Sequence, residues 1–347
     1  MLSMRTGSPL LLIFLAWPLA AQQTLPPVGS IDVYGVQQVN DSAVRRAVGI
    51  APGDLLPDSA AKAAIRARLR ALPGVEDADL FAVCCEATGR TMLFVGIAEA
   101  GTPRPSFRAA PTGSARLPAE ILARDSVFSL RFIEAIRAGR SAEADSGGHE
   151  FFADSALNAI QHQYLAFAAT RIPLLRDVLA HSSSARQRVL AAELLDYAPD
   201  VRTVIPDLVA AMDDPVSDVR NAAMRALWVI AAFAQKEPGL GIHVPTAPFI
   251  DKLWSLEWTD RNKASMALSQ LTADRDPRVL NELRRRAFRP LLDIAQWTDP
   301  GHAFPGVVLL GRIEGRSDPE IFAALQRGDR TSIIAQAVRM LRERHSH

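Results

Sequence analysis

The spacing Arg-x-x-Ala-x-x-x-Leu occurs three times in the second half of the chain, at Arg188/Ala191/Leu195, Arg220/Ala223/Leu227 and Arg261/Ala264/Leu268. The copies stand 32 and 41 residues apart, the range in which each unit is a pair of helices and a short turn. Such a period predicts an array in which each unit buries its apolar face on the next. In the middle copy, Asp214 is placed to cap a helix whose first position is Pro215, a residue with no amide to leave unpaired there. Val219, Ala222, Ala223, Ala226, Leu227, Ile230 and Ala234 follow at helical spacing, a stripe too broad for a helix standing alone. In each unit the Ala admits a close neighbour and the Leu fills the layer. The Arg is expected to reach a carboxylate or free carbonyl of the adjacent unit, its methylenes covering apolar surface.

The run Asp218-Val219-Arg220-Asn221-Ala222-Ala223-Met224-Arg225-Ala226-Leu227 resembles the second helix of a HEAT repeat. The resemblance covers residues 155–344. Later units drift, with Ala303/Gly306/Leu310 and Ile334/Ala337/Leu341 in the corresponding slots and the Arg lost, as terminal units of an array tend to be atypical. It implies an all-α solenoid with a concave partner-binding face.

A chain of 347 residues leads to the expectation of two domains. Its 39 basic residues, only four of them Lys, are balanced by 38 acidic ones, and no basic face with interleaved aromatics stands out, so nucleic acid is not an expected partner. Residues 1–21 read as a cleavable secretory signal: Arg5, an apolar run over 10–17, then small residues ending at Ala20-Ala21. That run is well short of the roughly twenty residues needed to span a bilayer. The expectation is export to the periplasm as a soluble protein, not membrane-spanning, in possible association with an envelope complex.

Residues 30–99 read as β-α-α-β-β. Ile31 and Val33 alternate with polar residues; Asn40 or Asp41 caps a first helix; Ser59 caps a second, with Ile65, Leu69 and Leu72 inward; strands over 75–85 and 91–99 flank a turn at 86–90. This order resembles a POTRA domain, carried by Ile31-Asp32-Val33-Tyr34-Gly35, Ala71-Leu72-Pro73-Gly74-Val75-Glu76-Asp77-Ala78 and Leu93-Phe94-Val95-Gly96-Ile97-Ala98-Glu99. The resemblance implies a bacterial periplasmic module whose sheet edge binds polypeptide by strand addition; a folded spacer that binds nothing is the alternative. There is one copy and no β-rich tail, so an outer-membrane insertase is not implied. Adjacent Cys84 and Cys85 are expected not to bridge in an undistorted strand, because trans neighbours sit about 3.8 Å apart and point to opposite faces, with a strained vicinal disulfide as the alternative.

Residues 100–117 read as a Pro-containing linker, and 118–154 as a helix and polar loop leading into the repeats. The fold class is therefore multidomain: a small α+β domain joined to an all-α helical array.

The tempting chemical pair is His149-Glu150 in the 141–150 loop. HEAT-like scaffolds can hold two metals with several His-Glu pairs on facing helices, and one pair supplies too few ligands, so no metal or other cofactor is expected. At Trp258-Thr259-Asp260-Arg261-Asn262-Lys263, Thr259 is read as a cap and Asp260 as favouring the positive helix end. Asn262 and Lys263, with His302 and Arg312, are expected to share the concave face. Trp228, Trp254, Trp258 and Trp297 are assigned to packing between units. Phosphate-loop, serine-elbow, zinc-protease and Cys-x-x-Cys motifs do not occur. These features lead to the expectation of a non-enzymatic adaptor that binds a protein or peptide through His149, Glu150, Asn262, Lys263, His302 and Arg312. The alternatives are an enzyme with a pocket between the 141–150 loop and the His302/Arg312 region, or a purely structural spacer.

Overall fold

The computed structural model describes residues 25–345; the expected signal segment 1–21 lies outside them. The fold is mostly helical with a small mixed sheet. Its elements in order are β1 (Val28–Tyr34), α1 (Asp41–Val48), α2 (Ser59–Arg70), β2 (Val75–Val83), β3 (Thr91–Glu99), α3 (Ala119–Arg137), β4 (Glu143–Ser146), β5 (His149–Phe152), α4 (Ser155–His181), α5 (Ala185–Leu195), α6 (Ile205–Ala211), α7 (Ser217–Lys236), α8 (Ala247–Lys252), α9 (Trp258–Leu271), α10 (Pro277–Arg286), α11 (Phe288–Ala295), α12 (Pro300–Ile313), α13 (Asp318–Gln326) and α14 (Thr331–His345).

The first sheet has the order β1-β3-β2, with β3 parallel to β1 and antiparallel to β2. Strand β3 is buried at every position, which accounts for its unbroken apolar sequence. Its residues alternate between two cores. Leu93, Val95 and Ile97 meet Val44, Val48, Ile65 and Leu69 of α1 and α2, while Met92 and Phe94 join the main helical core. Asn40 caps α1 by accepting from the Ala43 amide, and Asp58, not Ser59, caps α2. The buried Glu99 at the end of β3 accepts the amides of Gln37, Gln38 and Val39 at 2.7–3.1 Å, pinning the turn after β1. Strand β2 ends at Val83, so the cysteines fall outside it. They are joined as a disulfide across a cis peptide with alpha carbons 3.0 Å apart, and the expectation of unbridged strand neighbours does not hold.

Among the helices, α5 packs on α7, α7 on α9, α9 on α12, and α12 on α14. Ala191, Ala223 and Ala264 are fully buried, as are Leu195, Leu227 and Leu268. The three arginines of the spacing are buried and share one geometry: each donates to the carbonyl six residues before it, Arg188 to Ser182, Arg220 to Asp214 and Arg261 to Ser255. Each also faces a carboxylate farther along the chain. Arg188 grips Asp214 with two bonds of 2.8 Å, Arg220 grips Asp260 at 2.8–3.0 Å, and Arg261 stands 3.7 Å from Asp293. Asp214 is thus not the cap of α7, which begins at Ser217, and Asp260 serves the Arg220 fork rather than the helix end. Thr259 donates to Asn221 instead of capping α9.

The segment 100–117 is not a free linker. Arg108 bonds the Asp213 carbonyl through its amide and Asp214 through its guanidinium, Phe107 lies 4.0 Å under the Arg220 guanidinium, and Leu117 donates to Gln187.

The uncovered face of the β1-β3-β2 sheet rests on α9, α11 and the start of α12. Tyr34 donates to the Leu256 carbonyl (2.6 Å), Gly35 donates to Asp293 (2.9 Å), Asp32 accepts the Thr298 amide and hydroxyl (2.8–3.0 Å), and Arg289 donates to the Val36 carbonyl (2.6 Å). The Phe94 ring sits 5.0 Å from Trp258 and 5.1 Å from Trp297. Gly96 permits this approach: a methyl there would stand 2.7 Å from the Leu256 carbonyl oxygen. The β1 edge is covered as well, since Val28 exchanges bonds with Gly53 and Asp54 and the Ile31 carbonyl accepts from Arg45.

Candidate functional site

The residues expected on one concave face are separated by the fold. Arg312 is 5 % exposed, donating to Asp318, the Ser269 carbonyl and the Thr272 hydroxyl. It is a structural arginine and not a surface group; α9 and α13 supply its cage. Asn262 is buried and its side-chain oxygen lies 3.3 Å from His302 Nδ1. His302 packs edge-on against Trp258 and Phe94, so both belong to the contact between helices and sheet; burial lowers the imidazole pKa and favours its neutral form. Lys263 points elsewhere. It is half-buried, its pKa lowered by burial and then by Arg225, and it lies within electrostatic range of Glu143 and Glu150. The cleft at the 141–150 segment is lined by neither His302 nor Arg312.

The 141–150 stretch is not a loop. Its residues build the β4-β5 hairpin, whose second strand lies against α4 and α7. Three anchors hold it. His149, buried and stacked 5.8 Å from Tyr197, has Nδ1 2.5 Å from the Asp196 carbonyl; a carbonyl only accepts, so Nδ1 carries the proton. Burial lowers its pKa. Gln161 of α4 accepts from the Phe152 amide and donates to the Glu150 carbonyl and Tyr197 hydroxyl, each at 2.8 Å. Arg225 of α7 bonds the carboxylates of both Glu143 and Glu150.

Between this hairpin and helices α3, α4, α5 and α7 opens a cleft of about 330 Å³. Its walls are aromatic: Phe128 and Phe132 from α3, Phe152 from β5, Tyr164 from α4, and Tyr197 just after α5, with adjacent ring centroids 5.2–5.9 Å apart. Ala222 and Ala226 on α7 leave the space open by presenting only methyl groups.

Set into these walls are Asp125, Glu150 and Glu193. Asp125, its pKa raised by burial, is held at 3.5 Å by Arg186 on the rim. Burial, then the proximity of Glu143, pushes Glu150 up to about 7 despite Arg225. Glu193 is exposed at the cleft; desolvation by the protein around it, then the nearby Asp125, pushes its carboxyl up to about 7. It makes no hydrogen bond or ion pair among the described residues. Beside it Tyr164, 4 % exposed, has a hydroxyl without a hydrogen-bond partner among the described residues. Buried polar atoms are almost always bonded, which the Tyr164 hydroxyl is not; Glu193, lining the same cleft, is an exposed carboxyl.

Of the six expected partner residues, His149, Glu150 and Lys263 gather at the hairpin, Asn262 and His302 under the sheet, and Arg312 apart from both groups. Sequence reasoning missed Glu193. Its signal was present: it is the one charged residue in Leu190-Ala191-Ala192-Glu193-Leu194-Leu195, five of whose six residues are core. No group of three or more His, Cys, Asp or Glu among the described residues is arranged to hold a metal ion. No protein-family model matches the chain, and no curated protein matches it in sequence.

Proposed function

We propose that this chain is a non-enzymatic binding protein of the bacterial periplasm, exported by its first 21 residues, in which a POTRA-like module is fixed onto a HEAT-like helical array and a polypeptide partner is taken at the β4-β5 cleft. The β-α-α-β-β order and the recurring arginine geometry support the two resemblances. No helix among the described residues is long and apolar enough to cross a membrane, which is compatible with release after export. The observation that carries the binding reading is the aromatic-walled cleft of about 330 Å³, lined by a Glu193 carboxyl that has no ion-pair partner among the described residues. The face of α9–α12 expected to bind partners is occupied by the sheet of the same chain, and the β1 edge is covered. We therefore take the β4-β5 cleft, rather than that face, as the capture site.

A second reading, an acid–base enzyme, draws on two carboxyls near pKa 7 in one cleft. Glu150 is already engaged by Arg225, which favours binding over catalysis.

Ser129, exposed on α3 at the cleft, provides the test. Ser129→Trp should fill the cleft, leave Tm nearly unchanged as surface changes usually do, and abolish retention of polypeptide from a periplasmic extract by the immobilised mature protein. Equal retention by wild type and variant would contradict the reading.

A further inference from the structure

We infer that the β4-β5 cleft selects an organic monocation with an apolar body, an ammonium or guanidinium group that meets Glu193 while its hydrocarbon part lies among the aromatic rings. This rests on the binding reading above and adds the charge and shape of what is bound.

The charge follows from the pairing around the cleft. Asp125 has Arg186, and Glu143 and Glu150 share Arg225, with Lys263 also in range of both. Glu193 alone among these acids has no basic partner in contact. An anion entering the cleft meets an unpaired carboxylate and finds its nearest guanidinium already engaged, whereas a cation completes a pair. Glu193 is exposed where it lines the cleft, so its carboxylate is open to an entering cation, and a cation beside it favours the ionised form.

The shape follows from the walls. Ring faces of Phe128, Phe152 and Tyr164 attract a cation as well as hydrocarbon. A volume of about 330 Å³ lies at the small end for ligand sites, suited to one side chain or a molecule of that size. At the mouth, Ile133 on α3 is 46 % exposed and extends the apolar surface outward. A free amine and a Lys or Arg side chain presented by a peptide share this chemistry.

Calorimetry on the full mature protein with four probes tests the inference: phenethylammonium, the neutral phenethyl alcohol, the anion 3-phenylpropionate, and the doubly blocked tripeptide Leu-Lys-Phe. Phenethylammonium should bind, with the alcohol and the anion weaker by about tenfold or more, the scale of a charge-assisted bond. Tighter binding of the tripeptide identifies polypeptide as the source of the cation, and tighter binding of the amine a free small molecule; either outcome supports the inference. Glu193→Gln should erase the preference for the amine. Because Glu193 is exposed, that variant should fold as wild type does. Equal binding of the alcohol, preference for the anion, or no binding of either cation would overturn the inference. If Ser129→Trp still abolished polypeptide retention, the cleft would remain the capture site and only its charge selectivity would be wrong.

Discussion

Arg220 and Asp260, forty residues apart in the chain, form an ion pair closed to solvent, with three nitrogen–oxygen contacts of 2.8–3.0 Å and the Ser255 hydroxyl completing the carboxylate's bonds at 2.6 Å. Arg188 and Asp214 stand in the same relation one unit earlier. Removing one partner of such a pair strands the other without solvent. Arg220→Met is therefore expected to destabilise by about 3–5 kcal/mol, and Arg220→Lys to rescue only part of it because an ammonium cannot reproduce the fork. Urea titration of the two variants checks this; a loss below about 1 kcal/mol for Arg220→Met would remove the pair from the framework.

Arg312→Ala is expected to lower Tm by several degrees, since it leaves the Thr272 hydroxyl and the Ser269 carbonyl without that donor and leaves Asp318 paired with Arg275 alone. A thermal melt decides between this and a surface role, for which Tm would not move.

The arginine spacing was legible because it repeats, but the acceptors were not. Asp214 lies 26 residues beyond Arg188 and Asp260 lies 40 beyond Arg220, so no fixed interval announces them. The apolar run of β3 likewise foretold a strand without naming what covers its second face; Phe94 finds Trp258 and Trp297 only after more than 160 residues of intervening chain. Arg312 was misread because an arginine without a repeat partner defaults to the surface, whereas its cage is assembled from α9 and α13. At the candidate site, His149-Glu150 drew notice as a pair of chemical residues. Glu193 gained its significance from what surrounds it in space.

The contact between sheet and helices should be strong enough to make them melt together. Phe94→Ala is expected to cost about 3–5 kcal/mol, the usual range for emptying a buried aromatic site, and Gly96→Val to destabilise because its side chain would collide with the Leu256 carbonyl. Calorimetric unfolding of wild type should give one transition. Two well-separated transitions, with Phe94→Ala affecting only the first, would mean the sheet is not integral to the helical fold.

Stability should carry the signature of Glu193. Its ordinary pKa near 4.5 is pushed up to about 7 in the fold, so its contribution is fully present below about pH 4.5 and is lost as pH rises through about 7. Glu193→Gln removes that loss. The variant's Tm should match wild type at pH 4 and exceed it at pH 8; a difference independent of pH would show that Glu193 ionises at its ordinary pKa.

The most direct measurement of where this protein binds is hydrogen–deuterium exchange of the full mature chain with and without saturating phenethylammonium. The account predicts slower exchange in peptides spanning α3, the β4-β5 hairpin and α5, with β3, α9 and α12 unchanged. Protection confined to α9 and α12, or no protection at the hairpin, would contradict it.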